Sequence, residues 1–213
     1  MKARPPKAKP IPPHPDVTLL SDEVVWDGRF PLQRIRFRKR RFDGEESGVQ
    51  TWELWRRGFA VAVLPWDPWH DRVALIEQFR LPALAAGLEP LMVECPAGLM
   101  EDGEDPVEAA RREVLEETGL APDRFAPLGR YILNQGGSDE TINLFIARVR
   151  LPEEGLAGHH GLASEHEDIR LTVLPAAEAI AMLDDNRMCN ATGALCLSGF
   201  ARRRDALLKD WMD

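Results

Sequence analysis

The sequence predicts an α/β sandwich on a mixed sheet, preceded by a small antiparallel strand segment. Three observations carry this. Apolar runs of strand length recur through the middle of the chain, at residues 59–64, 72–80, 91–96 and 142–150. They are interleaved with amphipathic helical patterns at residues 105–119 and 191–211, and no internal repeat is present. With 213 residues, 44% hydrophobic and 29% charged, the chain is long and apolar enough for a sizeable core.

Residues 1–15 (MKARPPKAKPIPPHP) are rich in Pro and Lys and are expected to form an extended tail. Residues 16–56 are expected to form a β subdomain with strands at 17–26 and 32–42. In the second strand Ile35 and Phe37 alternate with Arg34, Arg36 and Arg38, the period of a half-buried strand, and Asp43-Gly44 supplies a turn. The basic cluster Arg38–Arg41 is read as a solvated sheet face. Residues 57–213 form the main domain. Strands are expected at 59–64 and 72–80 with a turn at Asp67-Pro68, followed by a loop at 84–89 and a short buried strand at 91–96 that delivers the chain to Ala97-Gly98. After the central helix come strands at 129–133 and 142–150, flanking a polar loop at 134–140. A second loop spans 155–167, a strand 169–174, and helices 176–184 and 191–211. The last helix offers Leu197, Phe200, Leu207, Leu208 and Trp211 for burial.

The formal net charge of −8 argues against a non-specific nucleic-acid binder. It leaves an anionic substrate open, because bound cations reverse a local field. Cys95, Cys189 and Cys196 are odd in number and make no Cys-x-x-Cys, which fits a reducing cytoplasm better than a disulfide framework or a zinc site. No apolar run has the length of a membrane span, and the first residues carry no apolar signal core.

Chemistry concentrates in GLMEDGEDPVEAARREVLEETGL, residues 98–120. Asp105 can cap a helix that opens on Pro106, Glu108 is placed to complete a capping box, and Gly119 supplies the left-handed end. On that helix Glu113, Glu116 and Glu117 share one face, while Val107, Ala110 and Val114 occupy the other. Three like charges on one stripe repel, and a divalent cation removes the penalty. Hard oxygen ligands select Mg²⁺, Mn²⁺ or Ca²⁺. Taken alone, Glu-x-x-Glu-Glu reads as a solvated face.

The surroundings of these glutamates change that reading. Gly98, Glu104, Arg112-Glu113, Val114, Glu116-Glu117 and Gly119-Leu120 resemble the Nudix box, G-x5-E-x7-R-E-U-x-E-E-x-G-U with U aliphatic, at every fixed position. WELWRRGFAVAVLP, RVALIEQFR, the GGSDE loop and GLASEHEDI further resemble the bacterial ADP-ribose pyrophosphatase family, from about Val24 to Trp211. The resemblance implies a Nudix α/β/α sandwich and Mg²⁺-dependent cleavage of ADP-ribose to AMP and ribose 5-phosphate, with Mn²⁺ as a substitute. It implies that Glu113 and Glu117 are the principal metal ligands. Glu116, Glu167 and the Ala97 carbonyl would complete the shell, and Arg112 would orient the glutamates. Glu104 would be a structural partner, and Gly98 would let the backbone turn tightly beside the metal. The general base is expected in GLASEHEDI at Glu165. His159, His160 and His166 on the same loop are read as exposed side chains rather than a transition-metal site.

The same resemblance assigns Arg80 to the diphosphate, Glu140 to the terminal ribose and Glu53 to adenine. Phe30 and Trp52 are the candidates to sandwich the base. It also implies a homodimer that exchanges the N-terminal subdomain. Two departures bear on the preferred nucleotide. Gln135 stands where the family usually has Pro, and Thr51-Trp52 where it often has an Arg near adenine. The rival readings are a pyrophosphohydrolase for ADP-glucose or GDP-mannose, a non-catalytic ADP-ribose sensor, and a nucleic-acid binder using Arg34–Arg41. The full set of box glutamates argues against the sensor.

Overall fold

The protein is described from a computed structural model, over residues 9–162 and 167–212. In chain order the elements are β1 (Val17–Trp26), β2 (Leu32–Lys39), β3 (Gln50–Trp55), β4 (Phe59–Asp67), β5 (Arg72–Phe79), α1 (Leu81–Ala85), β6 (Leu91–Glu94), β7 (Ala97–Leu99), α2 (Pro106–Thr118), β8 (Arg124–Ile132), β9 (Thr141–Arg148), β10 (Gly155–His160), β11 (Ile169–Pro175), α3 (Ala176–Ala181) and α4 (Ala191–Met212). Contacts divide them into two units. One is the chain up to Phe59 together with Ile132–Thr141, and the other is Ala60–Tyr131 with the chain from Ile142 onward.

The first unit carries an antiparallel sheet in the order β1-β2-β3. Ile35 is buried while Arg34, Arg36 and Arg38 are exposed, so the alternation in β2 does set which face is covered. The strand stops at Lys39 rather than residue 42. The chain reverses through Gly44 at φ +87°, and Arg40 only bridges Glu46. β3 adds a strand where none was expected, because the pairing from Leu32↔Trp55 to Phe37↔Gln50 supplies the ladder that a short, mostly polar run does not announce. The 132–141 loop is tied to this unit: Trp55 donates its N–H to Gly137 O, and Asp139 accepts from the Arg57 and Gly58 amides.

The second sheet has the order β10-β11-β5-β4-β9-β8, with β6 paired to β5 and β7 to β4. Its middle strands are apolar on both faces because both are covered. Val61 and Val63 of β4, with Phe145 and Ala147 of β9, meet Ala109, Ala110 and Val114 of α2. On the other face Trp66 packs on Phe200 and Trp211 of α4, at centroid distances of 5.2 and 5.5 Å. The α/β sandwich read from the sequence is the fold.

Five local expectations are corrected. Residues 81–85 are helical rather than entering a loop directly, since Pro82 sits in the first turn, where its lack of an N–H is harmless. β8 begins at Arg124, five residues before Gly129, and passes through Pro127. It lies at the sheet edge, where proline removes no ladder bond. Residues 155–160 form β10 instead of a loop. This glycine-rich edge strand pairs with β11 and carries a register shift between Leu156 and Gly158. α3 ends at Ala181, where the N–H groups of Met182, Leu183 and Asp184 bond three residues back and tighten the last turn. On α4, Leu197, Phe200 and Trp211 are buried and Leu207 is half-buried, but Leu208 is exposed, because it lies off the stripe that runs through 197, 200, 204, 207 and 211.

Candidate active site

The second unit assembles the box. Asp105 caps α2, its carboxylate accepting from the Val107 and Glu108 amides at 2.8 and 3.2 Å, and Gly119 ends the helix at φ +69°. Glu108 pairs with Arg111 at 3.6 Å and so serves the helix surface rather than a reciprocal cap. With its apolar face buried against β4 and β9, the helix holds Glu113 and Glu117 in place, only 1% and 3% exposed, and leaves Glu116 partly open.

These charges are buried beside a dense set of donors. Arg112 donates through Nε and Nη2 to the two oxygens of Glu104, both at 3.0 Å, and from Nη2 to Leu99 O at 3.1 Å. Its Nη1 reaches Glu113 at 2.6 Å and lies 3.8 Å from Glu116 Oε2. That fork holds the Glu104 carboxyl below its usual range and keeps the guanidinium firmly charged against the desolvation that opposes it. Glu117 Oε2 accepts the Ala97 amide at 2.9 Å, which ties the helix to the strand that precedes it in the box.

Gly98 has a different reason from the one expected. It lies inside β7, paired with Val61, and is not among the positive-φ glycines. A Cβ on it would sit 2.0–2.3 Å from the Glu113 carboxylate. The position is glycine because the carboxylate fills the side-chain space, not because the chain turns.

Arg80 follows β5 and is gripped by Glu94 of β6, Nε to Oε1 at 2.8 Å and Nη2 to Oε2 at 2.6 Å. Gln78 donates to the same carboxylate at 3.3 Å. The hydrogen bonds that Arg80 donates to Glu94, against the cost of burial, hold its guanidinium above its usual pKa, and the fields of Glu94, Glu117 and Glu167 add to this. Glu167 accepts the Leu162 amide at 3.3 Å. Glu165 and His166 lie outside the described residues. His159 is exposed and 3.8 Å from Asp168, while His160 lies against Gly119. Adjacent positions on β10 point them to opposite faces, so they do not form a two-ligand site.

In the first unit Phe30 packs edge-on against Trp55 at 5.9 Å, and the Arg57 guanidinium lies 4.2 Å from the Phe30 centroid and 4.8 Å from that of Trp55. Arg57 also pairs with Glu140 at 3.1 Å. A cleft of about 510 Å³ is lined by Trp26, Arg29, Phe30, Leu32 and Trp55. Trp52 instead meets Phe37 at 5.8 Å, and it alternates with Trp55 across β3. Within one chain the structure therefore brings Phe30 to Trp55 and Arg57, not to Trp52. Glu53 is exposed opposite Arg34. Trp55, Arg57 and Glu94 were absent from the sequence-based set. Each is marked only by tertiary neighbours, and the run WELWRRG is the one local hint.

The donor set suits a hard divalent cation. The side chains the box offers on this face, Glu113, Glu116 and Glu117, are all carboxylates, and Glu116 Oε2 is a buried oxygen without a hydrogen-bond partner among the described residues. Among those residues no three His, Cys, Asp or Glu side chains converge as a metal cluster. Arg112 and the Ala97 amide donate to oxygens of Glu113 and Glu117.

The chain as a whole has known relatives. The NUDIX domain family matches residues 56–190. ADP-ribose pyrophosphatase of Escherichia coli is 35% identical over 196 residues, covering 92% of this chain and 93% of that one. ADP-ribose pyrophosphatase of Haemophilus influenzae is 33% identical, covering 92% and 91%. GDP-mannose pyrophosphatase of Pectobacterium atrosepticum is 30% identical, covering 92% and 96%. A solved structure described as an ADP compounds hydrolase superposes with a TM-score of 0.70 at 21% identity, covering 94% of this chain and 98% of that one, which speaks to the fold. On these grounds the chain belongs to the NUDIX family, as a pyrophosphohydrolase among the ADP-ribose pyrophosphatases.

Proposed function

We propose that this protein hydrolyses the diphosphate bond of ADP-ribose, releasing AMP and ribose 5-phosphate, with Mg²⁺ as cofactor and Mn²⁺ as its substitute. The observation that carries the reading is the box face itself. Glu113 and Glu117 are buried on a rigid helix, and Gly98 leaves room for the Glu113 carboxylate, next to a chain-length likeness to ADP-ribose pyrophosphatases. Glu113, Glu116, Glu117, Glu167 and the Ala97 carbonyl would hold the cation. Bound there, it would neutralise phosphate oxygens and lower the pKa of a water.

The remaining work falls to the chain's own side chains. Arg112 keeps Glu113 oriented through its fork on Glu104. Arg80 binds the diphosphate as a fixed cation. Glu165 removes the proton from the attacking water. Phe30, Trp52 and Glu53 recognise the base, and Glu140, steadied by Arg57, the terminal ribose. The aromatic cleft at Phe30 and Trp55 adds a flat apolar surface for a nucleobase. We further propose a homodimer exchanging the N-terminal subdomain. On β1, Val17, Leu19 and Val24 share one face and are all exposed, apolar surface that a second copy would cover. The cysteines are free and no described helix is long and apolar enough to cross a membrane, and we assign the protein to the cytoplasm.

The test is turnover of ADP-ribose, ADP-glucose, GDP-mannose, NADH and diadenosine polyphosphates with and without Mg²⁺. ADP-ribose is expected to have the highest kcat/KM. The second reading, a preference for GDP-mannose, is favoured by the 30% identical relatives and by Gln135 and Trp52 at the two departures. A higher kcat/KM for that compound would replace the first reading with it.

A further inference from the structure

Glu94 is a half-buried acid that the chemistry above does not use. It stands three residues before Ala97, on β6, with its side chain 13% exposed. A further carboxylate on the strand that leads to Ala97 adds negative charge beside an already acidic stretch of chain, so its presence calls for a compensating role. Both of its oxygens are engaged: Arg80 takes them as a fork, and Gln78, itself 8% exposed, closes on Oε2. Arg80 is 40% exposed at its side chain, and its Nη1 makes no hydrogen bond among the described residues. The guanidinium feels the charges of Glu117 and Glu167, two of the carboxylates assigned to the cation.

Glu94 holds Arg80 only three residues before Ala97, whose amide holds Glu117 Oε2, so a long, flexible arginine at this point has a competing resting place. It can swing onto Glu117 or Glu167 and occupy the oxygens a cation needs. A bidentate grip on Nε and Nη2 removes that freedom and leaves one edge of the fork, at Nη1, for an anionic oxygen. We infer that Glu94 is a positioning residue that locks Arg80 toward the diphosphate and away from the metal-ligand carboxylates. The substrate half of this rests on the reading of Arg80 as the diphosphate contact, whereas the cation half does not.

The experiment compares the wild type with Glu94→Ala, Glu94→Gln, Arg80→Ala and the Arg80→Ala/Glu94→Ala double variant. One readout is Mn²⁺ binding, followed by loss of the free-ion EPR signal. The other is kcat and KM for ADP-ribose. Glu94→Ala is expected to weaken Mn²⁺ binding by about tenfold and to raise KM by about tenfold, with a smaller change in kcat. Glu94→Gln, which keeps the shape and one acceptor oxygen, falls between. The double variant regains wild-type Mn²⁺ binding, because no guanidinium remains to compete, and its KM matches that of Arg80→Ala. Should Glu94→Ala lose its cooperative melt, the isosteric Glu94→Gln carries the comparison.

Wild-type Mn²⁺ binding and KM in both Glu94 variants would overturn the inference. So would a double variant that binds Mn²⁺ as weakly as Glu94→Ala, which would make Glu94 a ligand or a scaffold in its own right. A wild-type protein inert toward ADP-ribose would sink the proposed function, while recovery of Mn²⁺ binding in the double variant would still support the Arg80–Glu94 lock.

Discussion

Replacing Gly98 by Ala adds a single methyl group at a point where the structure has no room for it. The new carbon would lie 2.0–2.3 Å from all three carboxylate atoms of Glu113. Neither side yields easily. The Gly98 backbone is paired with Val61, which is fully buried, and the carboxylate is held from the other direction by Arg112 at 2.6 Å. Ordinary contact at about 3.5 Å requires the carboxylate to retreat by about 1.4 Å. Forced repacking of this kind costs about 1–3 kcal/mol of stability. A shift of roughly 1 Å in a group that positions the chemistry costs about 10²-fold in rate. Gly98 is not at positive φ, so the backbone contributes no strain and the effect is steric alone.

The assay pairs urea unfolding with Mg²⁺-dependent turnover of ADP-ribose. Gly48→Ala serves as control, since a Cβ there meets nothing within 4 Å. The control is expected to stay within about 0.5 kcal/mol of wild type. A Gly98→Ala protein with wild-type stability and kcat within about twofold of wild type would refute the reasoning, because 1.4 kcal/mol already corresponds to a factor of about ten.

Arg112→Met keeps length and apolar packing but strips the counterion from Glu104 and from Glu113, which is 1% exposed. It is expected to cost about 3 kcal/mol, read from the urea midpoint, and Arg112→Lys, lacking the fork, to recover only part. The Glu104 carboxyl sits below its ordinary value of 4.5 because Arg112 donates to it. Its contribution is therefore complete above that value and is lost as pH falls through the lower, folded-state pKa, the range in which the unfolded chain binds more protons. The gap in urea stability between wild type and Glu104→Gln is expected to shrink steadily from about pH 6 to pH 3, and a constant gap would refute the assignment. Cys95 and Cys196 are buried and Cys189 is exposed, and the Cys95 thiol is pushed up by its hydrogen bond to Cys196 and by burial. A thiol reagent is expected to label Cys189 quickly and the other two only on denaturation, with equal rates at all three as the contrary result.

Helix α2 was legible because each of its features is local. A capping acid, a proline one residue later, a 3.6-residue apolar stripe and a terminal glycine lie within a single stretch, and the structure keeps all of them. The alternation in β2 was legible for the same reason, since period two decides which side chains are covered without reference to any distant partner. β3, β8 and β10 were misjudged or missed because their strand character comes from a neighbour's ladder and from edge positions that tolerate Pro127 and Gly158.

At the site, the residue types and spacing of the box, and hence the acidic face and its taste for a hard cation, were determined by the sequence itself. A helix converts separations of three and four residues into one face by its own geometry. Only the tertiary structure decided which donors meet those acids: Arg112 spanning Glu104 and Glu113, the Ala97 amide on Glu117, Glu94 gripping Arg80, and Arg57 over Phe30. Apart from Arg112 with its neighbours Glu113 and Glu104 in the box, these pairs join residues 14 or more apart in the chain, and no local period encodes such a separation. Gly98 shows the division most plainly. Its presence in the motif could be read, but its reason could not, because the atoms that forbid a side chain belong to Glu113, brought there by the packing of α2 on the sheet.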